Sequence, residues 1–104
     1  MIIYSVTVSL ELEIEDGWLD WMQQKHLADV MNSGCFNQYR FHKIMEPVVD
    51  PERVSYNTLY EVDSLEKLDH YQKEFAPQLQ QEHQDRFGDQ ALAIRVVLDQ
   101  LSQG

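Results

Sequence analysis

Two histidines stand where the surrounding pattern asks for leucine: His26 in WLDWMQQKHLADVM (18–31) and His83 in APQLQQEHQDRF (76–87). Imidazole changes charge near neutral pH, so a partly desolvated pair could hold or move protons. On a wheel of about 100° per residue, Trp18, Leu19, Met22, Leu27 and Val30 fall in one half of the first segment, with His26 near its middle. Asp20, Gln24, Lys25 and Ala28 fall opposite. Trp21 falls off the apolar face, where an exposed indole would suit a partner subunit or a ligand. In the second segment Leu65, Leu68, Gln72, Phe75, Ala76, Leu79, His83 and Phe87 form one stripe, with Arg86 at its edge. Each helix therefore aims one histidine at a shared layer. A buried polar group needs a partner. Either each imidazole is a core residue bonded to a carbonyl, a tyrosine hydroxyl or water, or the pair borders a polar pocket. In the second case His26 and His83 are the candidate catalytic groups, and Trp18, Met22, Leu79, Phe87 and Arg86 line the site.

Other chemistry is less supported. His26 and Asp29 have i, i+3 spacing, but two ligands do not make a metal site, and no CxxC, HExxH or paired-histidine spacing appears. No metal and no cofactor are expected. Cys35 reads as a small buried residue. Gln38, Arg40 and His42 alternate along one strand and share a face; on an edge strand they would be solvated and discourage edge pairing. Tyr56 and Tyr60 read as core aromatics with a polar tip. Glu82–Arg86 and Asp69–Lys73 have the spacing of surface ion pairs, and His70 reads as exposed. Phosphate-cradling and dinucleotide-binding glycine motifs and the G-x-S-x-G elbow are absent.

The elements that would position these residues follow from periodicity. Residues 2–14 alternate, with Ile2, Tyr4, Val6, Val8, Leu10, Leu12 and Ile14 on one side: a long strand with one buried face. Such an N-terminus, with no basic region before it, is a strand rather than a signal peptide. Asp16-Gly17 breaks it, and Asp16 caps a helix running to about Ser33, which Gly34 ends. A second strand is expected over Cys35–Met45, a turn over Glu46–Glu52 with Pro47 and Pro51, and a third strand over Arg53–Val62. Asp63 and Glu66 fit a capping box for a helical segment that Pro77 interrupts and Gly88 ends. Gln90–Leu101 closes the chain, with Leu92, Ile94, Val96 and Leu98 on one face and Arg95 and Asp99 on the other.

The order β-α-β-β-α-β, with right-handed crossovers, predicts an α+β ferredoxin-like sandwich: a four-stranded antiparallel sheet with helices on one face. The uncovered face is mixed, Ser5, Thr7, Ser9 and Arg95 supplying its polar part. Such a face meets a second copy of itself, so a homodimer with isologous contacts is expected. The 104 residues suit one domain, 1–104. The net charge of −10, with no basic block to offset it, repels nucleic acid and anionic lipid. No run of about 18 apolar residues is present to span a membrane. A lone cysteine excludes an internal disulfide and fits the cytoplasm.

MIIYSVTVSLE, WLDWM with KHLADVM, SGCF, and YQKEFAPQLQQEHQDRFGD together resemble a family of short bacterial proteins known as a domain of unknown function, over nearly the whole chain. The resemblance extends to the wider dimeric α+β barrel superfamily. Its members pair two ferredoxin-like subunits through their sheets, and some are small monooxygenases, isomerases, mutarotases or dehydratases. It implies a homodimer with a small-molecule cleft between helices and sheet. His26 matches by position a first-helix histidine that borders that cleft, although Ala28 stands where the superfamily often has proline. The implied activity, if there is one, is cofactor-free acid–base or oxygen chemistry on an apolar or aromatic ligand. A ligand-binding or regulatory protein without turnover, and a structural dimer with core histidines, are the alternatives.

Overall fold

The computed structural model describes residues 1–104. Strand β1 (Ile2–Glu11) pairs antiparallel with β3 (Arg53–Val62) on one side and with β4 (Ala91–Asp99) on the other, and β2 (Gln38–Lys43) pairs antiparallel with β3. The sheet order is β2-β3-β1-β4, so β2 and β4 are edges. With both helical segments packed on one face, this is the expected ferredoxin-like sandwich. No helix is long and apolar enough to cross a membrane.

The alternation in β1 and β3 fixes which side chains enter the core. Tyr4, Val8 and Leu10 from β1 and Tyr56, Thr58, Tyr60 and Val62 from β3 are buried beneath the helices. Two aromatic groups fill that layer. Tyr4, Phe36, Tyr60 and Tyr71 pack at one end, with ring centroids 4.6–6.2 Å apart. Trp18, Phe41 and Tyr56 pack at the other, at 5.2–6.0 Å. Each such ring removes on the order of 150–250 Å² from water, so these residues dominate the core.

β1 stops at Glu11, three residues short of the alternating pattern. Leu12–Ile14 turns as a 3-10 helix, which leaves Leu12 half exposed. Asp16 does not cap: the helix starts at Glu15 without any side-chain cap, and Asp16 and Gly17 lie in its first turn, where the acid favours the positive end of the helix dipole. α1 (Glu15–Trp21), a π-helical turn (Met22–His26) and α2 (Leu27–Met31) run on as one helix. In the π turn the Leu27 N–H donates to the Met22 carbonyl, a bond one residue longer than in an α-helix. The chain then leaves through Gly34, at φ +74°.

A uniform wheel therefore misplaces part of this helix. Trp21 is buried, not exposed. The wider turn rotates α2 relative to α1, and the second helical segment covers the flank that a helix-on-sheet picture leaves open. Trp21 packs there against Phe87, with ring centroids 5.4 Å apart. β2 is shorter than the sequence suggests, beginning at Gln38. Cys35 and Phe36 are buried in the approach to it.

The second helical segment divides as Pro77 requires, into α3 (Leu65–Glu74) and α4 (Ala76–Phe87), with Phe75 between them and Pro77 in the first turn of α4. Its cap is Ser64 rather than Asp63: the Ser64 Oγ accepts from the Lys67 N–H at 3.1 Å. Asp63 instead accepts from Asn37 Nδ2 at 2.7 Å. The expected Asp69–Lys73 pair forms at 2.9 Å. Glu82 pairs with Lys25 at 3.3 Å in place of Arg86, whose guanidinium lies over the Phe87 ring.

The face away from the helices corrects one expectation. The register sets Arg95 opposite Val6, so Arg95 lies on the helix side of the sheet. The open face carries instead the other parity of β4: Leu92, Ile94, Val96 and Leu98 are 44–68% exposed. Beside them run Ser5, Thr7 and Ser9 of β1, with Asn57 of β3 donating to Ser5 Oγ and Thr7 Oγ1 at 3.0 Å each. Gln38, Arg40 and His42 share this face at the β2 edge, where Arg40 pairs with Glu61 at 3.0 Å.

Candidate functional site

A cleft opens between helices and sheet where the inward strand residues become small. Thr58 of β3 and Val6 of β1 form one row with Val8 and Ala93 beside it, and Arg95 on the edge strand β4 ends the row with the one long side chain. Around this row the same face carries Tyr4, Tyr56 and Tyr60. Small side chains among large ones leave a hollow that the helices roof: Met22, His26 and Val30 from the first helix, and Tyr71, Leu79, Gln80 and His83 from α3 and α4. The empty space is about 520 Å³, its open mouth included. Within it the cleft is narrow, with room for only a few waters.

The two histidines meet here, their ring centroids 6.4 Å apart. Each is held differently. The Trp18 Nε1–H donates to His83 Nε2 at 3.0 Å. Indole nitrogen can only donate, so His83 Nε2 carries the lone pair and the proton of the neutral ring sits on Nδ1. A proton on Nε2 would break that bond. Burial and the nearby Arg95 charge both hold the His83 pKa below its ordinary value. His26 stacks on Trp21, with centroids 4.9 Å apart. Its Nδ1 is the one buried side-chain polar atom without a hydrogen-bond partner. Burial, chiefly, and then His83 push the His26 pKa down to about 4. Both rings are therefore neutral near pH 7.

The cleft gathers further polar groups. Tyr4, Tyr60 and Tyr71 have phenols whose pKa is raised by burial. Thr58 is the one buried polar residue. Arg95 is the only lysine or arginine on the lining, and no aspartate or glutamate joins it.

Of the residues singled out from sequence, His26, His83, Met22 and Leu79 line this cleft. Trp18 lies behind it, wholly buried and bonded to His83. Phe87 packs behind His83 and Trp21, at 5.5 and 5.4 Å. Arg86 stays exposed at the surface of α4. Arg95, the three tyrosines, Gln80 and Thr58 escaped the sequence reading. Two signals were available for them. Thr58 is the lone polar residue in the inward stripe of β3, and Arg95 shares its parity with the small Ala91 and Ala93. No cluster of three or more His, Cys, Asp or Glu side chains is placed to share a metal ion. Cys35 is buried and free.

Known structures share this architecture. HapK from Hahella chejuensis is 13% identical, with a TM-score of 0.71, over 100% of this chain and 96% of that one. An ethyl tert-butyl ether d (ethd) family protein from Bacillus halodurans is 10% identical, with a TM-score of 0.69, over 97% and 100%. A dimeric ferredoxin-like protein from an uncultured marine organism is 14% identical, with a TM-score of 0.67, over 99% and 96%. Identities this low speak for the fold alone. No curated protein matches the sequence. A family model does match, over residues 1–101, and the chain thus belongs to the domain-of-unknown-function family DUF4286.

Proposed function

We propose that this protein binds a small apolar or aromatic molecule in the cleft between helices and sheet. The single observation that carries the reading is the His26 Nδ1 atom, buried in the cleft wall without a partner. Leaving such an atom unpaired costs about 1–3 kcal/mol, which a ligand offering the complementary donor or acceptor would recover. The lining suits such a ligand: Val6, Val8, Met22, Val30, Leu79 and Ala93 supply apolar contact, and His26, His83 and the tyrosine hydroxyls supply orientation.

Binding is the primary role. An imidazole with its pKa pushed down to about 4 is a hydrogen-bonding group at neutral pH but a weak base. Turnover by proton transfer becomes the second reading when a bound anion raises that pKa. His26 is then the acid or base, and His83, tied to Trp18, orients the ligand.

The working form is a homodimer, residues 1–104 of each copy acting as one domain in the cytoplasm. The exposed stripe Leu92, Ile94, Val96 and Leu98 supports that assembly, because a contiguous apolar sheet face is unfavourable in water. Two of the similar structures are described as dimeric ferredoxin-like proteins. The acidic surface disfavours nucleic acid and membrane as partners.

Native mass spectrometry of freshly purified protein, repeated after denaturation, tests the reading. We expect a dimer mass with an added component that leaves on denaturation, reduced in a His26→Ala variant. Binding of every candidate ligand as tightly by His26→Ala as by the natural chain would overturn the role of His26. A bare monomer would overturn the dimer.

A further inference from the structure

Resting on the reading that the cleft binds a small molecule, we infer that its ligand is a carboxylate on a flat apolar body, with the carboxylate seated against Arg95. Arg95 is set apart from the other cations of this acidic chain. Lys25, Arg40, Lys43, Lys67 and Lys73 all pair with carboxylates. Arg53 donates to the Ser9 hydroxyl and carbonyl, and Arg86 lies on the Phe87 ring. Arg95 makes no ion pair, although acids outnumber bases 18 to 8.

Its place in the sheet aims it at the ligand space. Arg95 is in line with Val6 and Thr58, on the floor of the cleft. Its guanidinium lies beside the Tyr4 hydroxyl, on which it acts by charge and as a donor, and its charge also bears on Tyr71 and on both histidines. Guanidinium offers a planar fork of donors that matches a carboxylate. The phenols and neutral imidazoles around it can donate to the same anion, and no acidic lining residue competes for it. The rest of the ligand follows from the walls. They are mostly apolar, the rings of Tyr4, Tyr60 and Tyr71 stand at one end, and the space is narrow, so the body must be small and planar rather than bulky.

The test uses the 104-residue chain and two small planar probes alike in shape, benzoate and benzamide. Titration by calorimetry gives their affinities, and backbone amide shifts locate them. We expect benzoate to bind in the cleft roughly tenfold more tightly than the amide, as a charge-assisted bond to an exposed arginine at the cleft implies. Arg95→Met should reduce benzoate to the level of the amide and leave the amide unchanged. Lys73→Met, which removes a charge from the exposed side of α3, should alter neither. Equal affinities in the natural chain, or a preference that survives Arg95→Met, overturn the carboxylate inference while the cleft reading stands. If neither probe shifts cleft resonances, the cleft reading fails and this inference with it.

Discussion

Acid should weaken the fold through His26, in a pH window of its own. The folded pKa is about 4, against an ordinary 6.5, because burial disfavours the charged ring. The sign follows from linkage. Below 6.5 the unfolded chain takes up a proton that the folded chain refuses, so stability is lost as pH falls from 6.5 towards 4 and levels off below that. With those two values the loss at about pH 5 is about 2 kcal/mol relative to neutral pH, a large fraction of a small domain's stability. His83 is shifted in the same direction and adds to the effect. The lowered carboxylates, Glu15 held by the Tyr56 hydroxyl and Asp63 by Asn37, lose their contribution as pH falls from the ordinary carboxylate pKa through their lowered values, mostly below about pH 5. The perturbation is His26→Leu, which removes the titrating ring and its unpaired nitrogen together. Urea unfolding near pH 7 and near pH 5 should show the variant at least as stable as the natural chain at neutral pH. It should also lose about 2 kcal/mol less on acidification. A direct check is the His26 Cε1 proton followed by NMR, with its midpoint near 4. Equal acid losses in the two proteins, or a midpoint at or above 6.5, would refute the burial argument.

Two further outcomes rest on the same contacts. Trp18→Phe removes the indole donor to His83 Nε2; hydrogen bond and cavity together should cost at least about 1 kcal/mol by denaturant unfolding, and the His83 titration midpoint should rise, since the freed lone pair can take a proton. An unchanged His83 midpoint would show that Trp18 does not set its protonation. Ile94→Glu places a charge at the middle of the exposed β4 stripe; because Ile94 is 68% exposed in the protomer, the fold should persist while sedimentation shows loss of the dimer. A variant that sediments as the natural chain does would mean the sheets do not pair through this stripe.

The division between what the sequence showed and what it hid has a physical origin. Period-2 alternation in β1 and β3 is local, so the sequence alone locates β3 at Arg53–Val62 and its inward stripe. Glycines at positive φ and a proline in a first helical turn are local too, and Gly34, Gly88 and Pro77 stand where their backbone preferences put them. The helix of residues 15–31 was harder. A five-residue π turn has no strong composition signature, yet it changes which flank of the helix faces inward, so a uniform wheel turns Trp21 towards solvent where the structure buries it. For Arg95 the cause is different. Parity along β4 separates Leu92, Ile94, Val96 and Leu98 from Ala93 and Arg95, but nothing local says which set meets the helices. Hydrophobicity alone argues for the leucine-rich set, and pairing with β1 decides for the other. That inversion links the open face to the cleft. By turning Leu92, Ile94, Val96 and Leu98 outward, β4 leaves Ala91, Ala93 and Arg95 on the helix side. The same register that creates a sticky outer surface thereby hollows out the inner one. A strand that packed its leucines inward would fill the space before His26 and His83, and a cleft and a pairing surface would disappear together.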